Sequence, residues 1–365
     1  MTINRTHYQE YIARPTLHLM STMKCNLKCN YCPVIDYLRD EVNDGLSELP
    51  IIERLIEEAP EPLAIHLGGG EPLLNKTIGD FVKRHGENGH KFSFDTNGTV
   101  NAKQLERIVG DWDPNWIAYF DISHHLDQRV PVKTIEAFAK VLQANDMAHH
   151  IKYIGRPYDF EDIERNIAYF ESKSIAAWVS GYDGLNSDRD GILIDDRQLP
   201  RDYSDVELNW LLSHIRFLGH VSPIAGGVIM TGKPCTGGSQ YFYIGDVNPA
   251  KHSIWPCCHG QNVDVDIEQS YILDHSRPKR SPCRVESACY IYPTLYGPEI
   301  YPEYDGCYSD LFFGPVAPIK AEIILDYLQK LELWIERPAD PKLYSRVKTL
   351  LEEKINQSRP RYQSA

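Results

Sequence analysis

The chain has 365 residues, of which 42% are hydrophobic and 24% charged, and carries a formal net charge of -13. This balance is ordinary for a folded soluble protein and excludes a disordered chain, while the acidic surplus opposes nucleic-acid binding, which needs a basic surface to displace counterions. No run of about 18 apolar residues exists, and the first ten residues lack the apolar core of a signal peptide, so a cytoplasmic protein without membrane or nucleic-acid partners is expected.

In chain order, a short polar leader (1–14) precedes Thr16–Met20, where apolar and polar side chains alternate as in a strand. The cysteine loop follows directly. Leu49–Ala59 has apolar residues at helical spacing and ends at Pro60. The same strand-then-helix pattern recurs with strands Leu63–Leu67, Lys91–Asp95, Trp116–Ile122, His150–Ile154 and Ala176–Ser180. Their helices are Thr77–Arg84, Ala102–Val109, Lys133–Ala144, Asp162–Ser172 and Asp205–Leu218. Strands alternating with amphipathic helices require a parallel sheet, open or curved into a barrel, because each helix must return the chain to the same edge. Asp183–Pro200 is rich in Asp and Gly and mimics a calcium loop through Asn186, Asp188, Asp190 and Gly191. Arg197 stands where the closing acidic ligand belongs, so an exposed loop is expected instead. From Gly219–Ile229 onward the alternation stops and a second domain is expected; helical spacing returns over Ile319–Ile335 and Lys342–Ile355.

Cys25, Cys29 and Cys32 stand at a C-x3-C-x2-C spacing after the first strand. Three thiolates can hold three irons of a cubane cluster and leave one iron with an open position, whereas structural zinc sites are closed by four ligands. All six other cysteines lie between Cys235 and Cys307. In a reducing compartment they argue for metal ligation over disulfides.

The cysteine loop, with Tyr31 before its third cysteine, resembles the signature of radical S-adenosylmethionine (SAM) enzymes. That resemblance implies a partial (β/α)6 TIM-type barrel over 15–220 with the loop after its first strand. It also implies a 4Fe-4S cluster on Cys25, Cys29 and Cys32, with SAM on the open iron. Reductive cleavage of SAM by an electron donor such as flavodoxin or ferredoxin would give a 5'-deoxyadenosyl radical that abstracts a substrate hydrogen. Gly69, Gly70, Glu71 and Pro72 after the second strand resemble the family's GGEP element, whose backbone meets the SAM amino group. Asn97, in a Thr-Asn-Gly turn after the third strand, and Ser123, after the fourth, match further SAM-binding positions. His124 and His125 are candidate bases or ordinary loop histidines.

Cys235, Cys257, Cys258, Cys283 and Cys289 resemble a SPASM or shorter twitch domain (221–312), which implies a second 4Fe-4S cluster. One of Cys257 and Cys258 would ligate it, and a zinc site is the alternative. Cys307 is either a competing ligand or a spare thiol that gives a hydrogen atom to a substrate radical. The terminal helices occupy 313–365. Members with such a domain mostly modify ribosomally made peptides by cross-linking, epimerisation or oxidation; others act on small metabolites such as aminoglycosides. A non-catalytic iron-sulfur carrier is the rival from another class.

Overall fold

The computed structural model describes residues 6–29, 31–32, 50–181, 193–194, 197–235, 241–246, 253–255, 281–283, 289 and 317–358. Six parallel strands alternate with helices: β1 (Thr16–Thr22), α2 (Pro50–Glu57), β2 (Ala64–Gly69), α3 (Ile78–Glu87), β3 (Lys91–Thr96), α4 (Ala102–Val109), β4 (Ile117–Ser123), α5 (Val132–Ala144), β5 (His149–Ile154), α6 (Phe160–Glu171) and β6 (Ala177–Ser180). They form the expected partial TIM-type barrel, in the order β1-β2-β3-β4-β5-β6. Each element lies within three residues of its expected bounds except α7 (Asp205–Ser213), which stops short of Leu218. Beyond it Arg216 is ion-paired to Glu171 at the end of α6, and a 3-10 turn begins at Leu218.

Strand alternation divides the side chains cleanly. Leu17 and Leu19, Ile65 and Leu67, Phe92 and Phe94, Phe120 and Ile122, and Ile151 and Tyr153 join one buried cluster with residues of the helices. Phe94 stacks on Phe120 at 4.5 Å and on Trp112 at 5.5 Å between ring centroids. The opposite strand faces point into the barrel.

The leader is more than a polar tail. Thr6–Ile12 forms helix α1, and its Tyr8, Tyr11 and Ile12, at i, i+3 and i+4, pack around Tyr119, Ala64 and Ala118. The Tyr11 hydroxyl lies 2.7 Å from Ser93 Oγ, so α1 closes the barrel floor. Seven residues are too few for a periodicity signal to stand out.

The described end of the Asp183–Pro200 segment corrects the expectation of an exposed loop. Leu193–Ile194 pairs with Arg197–Gln198 as a small hairpin, Leu199 is buried, and Arg197 forks onto Glu207 at 2.8 and 2.5 Å. Beyond α7, residues Val221, Ile224, Val228 and Met230 belong to the barrel's apolar cluster. So do Ile324, Tyr327 and Leu328 of α9 (Ala321–Leu331) and Leu343, Tyr344 and Val347 of α10 (Pro341–Ser358), taking the helix Val221–Ile224 as α8. Strand Tyr241–Asp246 lies parallel to β1 on the side away from β2, and Ser253–Trp255 pairs antiparallel with it.

Helix α4, which follows the third site loop, starts at a side-chain cap: Asn101 Oδ1 accepts from Gln104 N at 3.0 Å. Asn101→Ala is expected to cost about 1 kcal/mol, read as a lower urea midpoint at unchanged slope.

Candidate active site

The cysteine loop sits at the C-terminal end of β1, on the face where barrels of this kind gather their functional residues. A register shift between Met20 and Thr22 bends β1 just before the loop, with Ser21 Oγ donating to Gly68 O at 3.1 Å. Such a bulge re-aims the chain that follows.

Loops after four further strands hold the cysteine loop. After β2, Gly70 N donates to Thr22 O and Glu71 N to Lys24 O, both at 2.8 Å. A β-carbon on Gly70 would overlap the Lys24 carbonyl, and one on Gly69, at φ +119°, the Thr22 carbonyl. The glycines are thus required by contact with the cysteine loop itself. After β3, Asn97 Nδ2 lies 3.7 Å from Cys25 Sγ and donates to Asn26 Oδ1 at 2.9 Å, while Asn26 Nδ2 donates to Thr99 Oγ1 at 2.7 Å. After β4, Gln128 grips Lys28 from both sides: Lys28 N donates to Gln128 Oε1 at 3.2 Å, and Gln128 Nε2 donates to Lys28 O at 3.0 Å. Tyr31 shares a 2.7 Å hydrogen bond with His125 Nδ1 and stacks on its ring. After β5, the Arg156 guanidinium lies 5.2 Å from the Tyr31 ring centre and is fixed by Asp159 Oδ2 at 2.5 Å.

Glu71 is fully buried and turned away from the loop mouth. Its Oε1 accepts from Leu73 N at 3.1 Å and Thr96 Oγ1 at 2.8 Å, and its Oε2 from Asn97 N at 2.6 Å. Burial pushes this carboxyl up to about 7, against the three hydrogen bonds that favour its charged form. Glu71 therefore positions the Asn97 turn. Ser123 ends β4, with Lys152 as its β5 partner. His124 is tied to Tyr153 OH at 3.0 Å and Val130 O at 2.8 Å, a buried structural histidine. His125 instead faces the cysteine loop: its ring, Cys29 Sγ and an Asp127 carboxylate oxygen lie within 4.8 Å of one another. Burial pushes His125 down to about 4, which keeps it neutral.

The three thiols are unbridged; Cys29 is buried, Cys25 and Cys32 partly so. Burial pushes the Cys25 and Cys29 thiols up, so a bound cation is needed to hold them as thiolates. A cluster iron would supply that charge, and the donor set fits one.

In the later cysteine region, backbone pairing draws three cysteines to one ribbon. Pro234–Cys235 pairs with Ser281–Pro282, Val228 bridges Cys289, and Thr231 bridges Cys283. Cys257, Cys258 and Cys307 lie outside the described residues. No helix among the described residues is long and apolar enough to cross a membrane.

Residues 19–191, just under half of the chain, match the model of the Radical SAM superfamily. Among solved structures, native anSMEcpe with bound AdoMet is similar over 94% of this chain and 98% of its own, at 14% identity and a TM-score of 0.51. Streptococcus suis SuiB bound to S-adenosylmethionine is similar over 70% of this chain at 16% identity and a TM-score of 0.46; the chain spans 64% of that protein's length. The likeness to anSMEcpe is one of fold. A search of the curated proteins found no match.

Sequence reasoning missed Asn26, Thr99, Gln128 and Arg156, whose roles depend on loop convergence. It also missed the barrel interior. There His18 and His66 rings lie 4.4 Å apart, His66 Nε2 is 3.3 Å from Asp95, Lys152 Nζ is 2.5 Å from Asp121, and His150 Nε2 is 3.2 Å from Asp121.

Proposed function

We propose that the chain is a radical SAM enzyme that binds a 4Fe-4S cluster on Cys25, Cys29 and Cys32 and SAM beside Gly69, Gly70, Asn97 and Ser123. Its substrate in this proposal is a ribosomally made peptide. The observation that carries the reading is the bracing of a three-thiol loop by four neighbouring βα loops at the mouth of the barrel. Held by Cys25, Cys29 and Cys32 and reduced, such a cluster would supply the electron for reductive cleavage of SAM and so the hydrogen-abstracting radical chemistry. The protein's own residues set the stage. Asn97 directs an amide N–H at Cys25, where such a donor stabilises a thiolate, and Gln128 and Tyr31 hold the rest of the loop against β4.

The spacing from Cys235 to Cys307 supports a SPASM or twitch-like domain with one auxiliary cluster on Cys235, Cys283, Cys289 and one of Cys257 and Cys258. That in turn supports the peptide substrate. A small amine-bearing metabolite is the second reading, favoured by the charged barrel interior.

Anaerobic incubation of reconstituted protein with SAM and dithionite is expected to yield 5'-deoxyadenosine. Its absence, with and without candidate substrate, would leave an iron-sulfur carrier as the better description.

A further inference from the structure

We propose that the barrel interior beneath the cysteine loop binds a primary ammonium group of the substrate, with Asp95 as its partner. The proposal rests on the radical SAM reading for its place in the reaction but on the barrel's own chemistry for its charge preference.

Closed (β/α)8 barrels are filled by branched apolar side chains. Here the inward positions include His18 on β1, His66 on β2, Ser93 and Asp95 on β3, Asp121 on β4, and His150 and Lys152 on β5, beside the apolar Met20 and Trp178. Gly68 lets the His18 imidazole pack close against β2: a β-carbon there would come within 3.2 Å of His18 Nε2. The floor is closed by Tyr11 and Tyr119.

The charges are unevenly served. Asp121 is 7% exposed and held by both Lys152 and His150. Lys152 lies 2.5 Å from Asp121 but 3.9 Å from Asp95, and its own side chain is only 17% exposed. Asp95 sits on an interior strand between β2 and β4, yet 45% of its side-chain surface is open, with His66 as its nearer neighbour. Such openness on an inward-facing residue means that it borders a chamber. Two carboxylates face one ammonium, and an excess charge inside protein is costly until a counter-charge arrives. Burial pushes the Asp95 carboxyl up, but Lys152 and the hydrogen bond from His66 outweigh it and keep it ionised. An incoming ammonium supplies the missing charge and a charge-assisted hydrogen bond.

The position suits the chemistry above it. Asp95 precedes Asn97 by two residues, about 7 Å along a strand, and Asn97 touches Cys25. A substrate anchored on Asp95 would present the carbons next to its amine toward the cysteine loop.

The test uses anaerobically reconstituted, SAM-loaded full-length protein and ligand-observed NMR. The probes are Nα-acetyl-lysine amide and glucosamine as ammonium ligands, with Nα-acetyl-norleucine amide as the neutral isostere and Nα-acetyl-glutamate amide as the anion. At least one ammonium probe is expected to bind about tenfold more tightly than the neutral and anionic ones, a difference of about 1.4 kcal/mol. Asp95→Asn should erase that preference. Preference for the lysine probe points to a peptide side chain, and preference for the amino sugar to a small metabolite. Equal binding of all four probes, or an unchanged preference in Asp95→Asn, overturns the proposal. Should Asp95→Asn fail to fold, Lys152→Gln carries the test: removing the chamber's cation must tighten ammonium binding several-fold, and unchanged or weaker binding overturns the proposal. Absence of 5'-deoxyadenosine would sink the enzyme reading alone, since the charge preference is measured without turnover.

Discussion

Replacing Cys25, Cys29 and Cys32 together by alanine is expected to leave a folded protein that forms no 5'-deoxyadenosine. The loop's shape is set by bonds to Gly70, Glu71, Asn97 and Gln128, none of which involves the thiols except the Asn97 contact with Cys25. Each Cys→Ala change removes one sulfur, from a loop in which only Cys29 of the three is buried, at about 1 kcal/mol, within the usual range for a single substitution. The far-ultraviolet spectrum should therefore survive. Iron content should fall by one cluster, and the absorbance of a second cluster on the later cysteines should persist. Product formation at the wild-type level in the triple variant would end the assignment of these thiols as cluster ligands. Loss of all iron would instead place the later cysteines under the control of the first site.

The second large effect is expected at Glu71. Glu71→Ala orphans three buried donors, Leu73 N, Thr96 Oγ1 and Asn97 N, and should cost about 3 kcal/mol or more. The carboxyl also makes stability depend on pH in a definite direction. Its folded value of about 7 lies above the 4.5 of the free side chain, because burial penalises the charge. Between those values the native state holds a proton that the unfolded chain has released, so this contribution is full below about pH 4.5 and is lost as pH rises through 7. With about 1.4 kcal/mol for each unit, the loss is about 3 kcal/mol. Glu71→Gln keeps the volume and one acceptor oxygen but turns an amide toward Asn97 N. It should be less stable at low pH and lack the decline. Urea unfolding of both proteins at pH 5 and pH 7.5 checks this, and parallel pH slopes for the two would contradict it.

Much of the barrel was legible because each strand carries its own pattern. Phe92 and Phe94 alternate with Ser93 and Asp95, and Ile151 and Tyr153 alternate with His150 and Lys152; that alternation fixes strands as well as faces. The same alternation held an unread message. In a packed barrel the second face would also be apolar, so the polar set Ser93, Asp95, Asp121, His150 and Lys152 already marks an interior that is not a core. The cysteine spacing and the Gly-Gly-Glu-Pro turn were legible as motifs, since both are contiguous in sequence. What was not legible is convergence. Gln128 meets Lys28 across 100 residues, and nothing local to either side chain announces the other. Glu71 shows a related gap: its motif suggests a role toward SAM, whereas its carboxylate faces inward to Thr96 and Asn97. His124 and His125 are adjacent in sequence but face opposite ways, one to Tyr153 and one to Tyr31, a difference that only the strand end resolves.

The parallel pairing of Tyr241–Asp246 with Thr16–Leu19 bears on how the chain can be divided. It gives β1, the strand that feeds the cysteine loop, a neighbour on each side. A shortened protein ending after the sixth βα unit would strip one of them and bare a row of amide and carbonyl groups at the sheet margin. Such a margin invites pairing with another chain. The six-unit barrel alone is therefore expected to self-associate through the margin that Tyr241–Asp246 otherwise occupies.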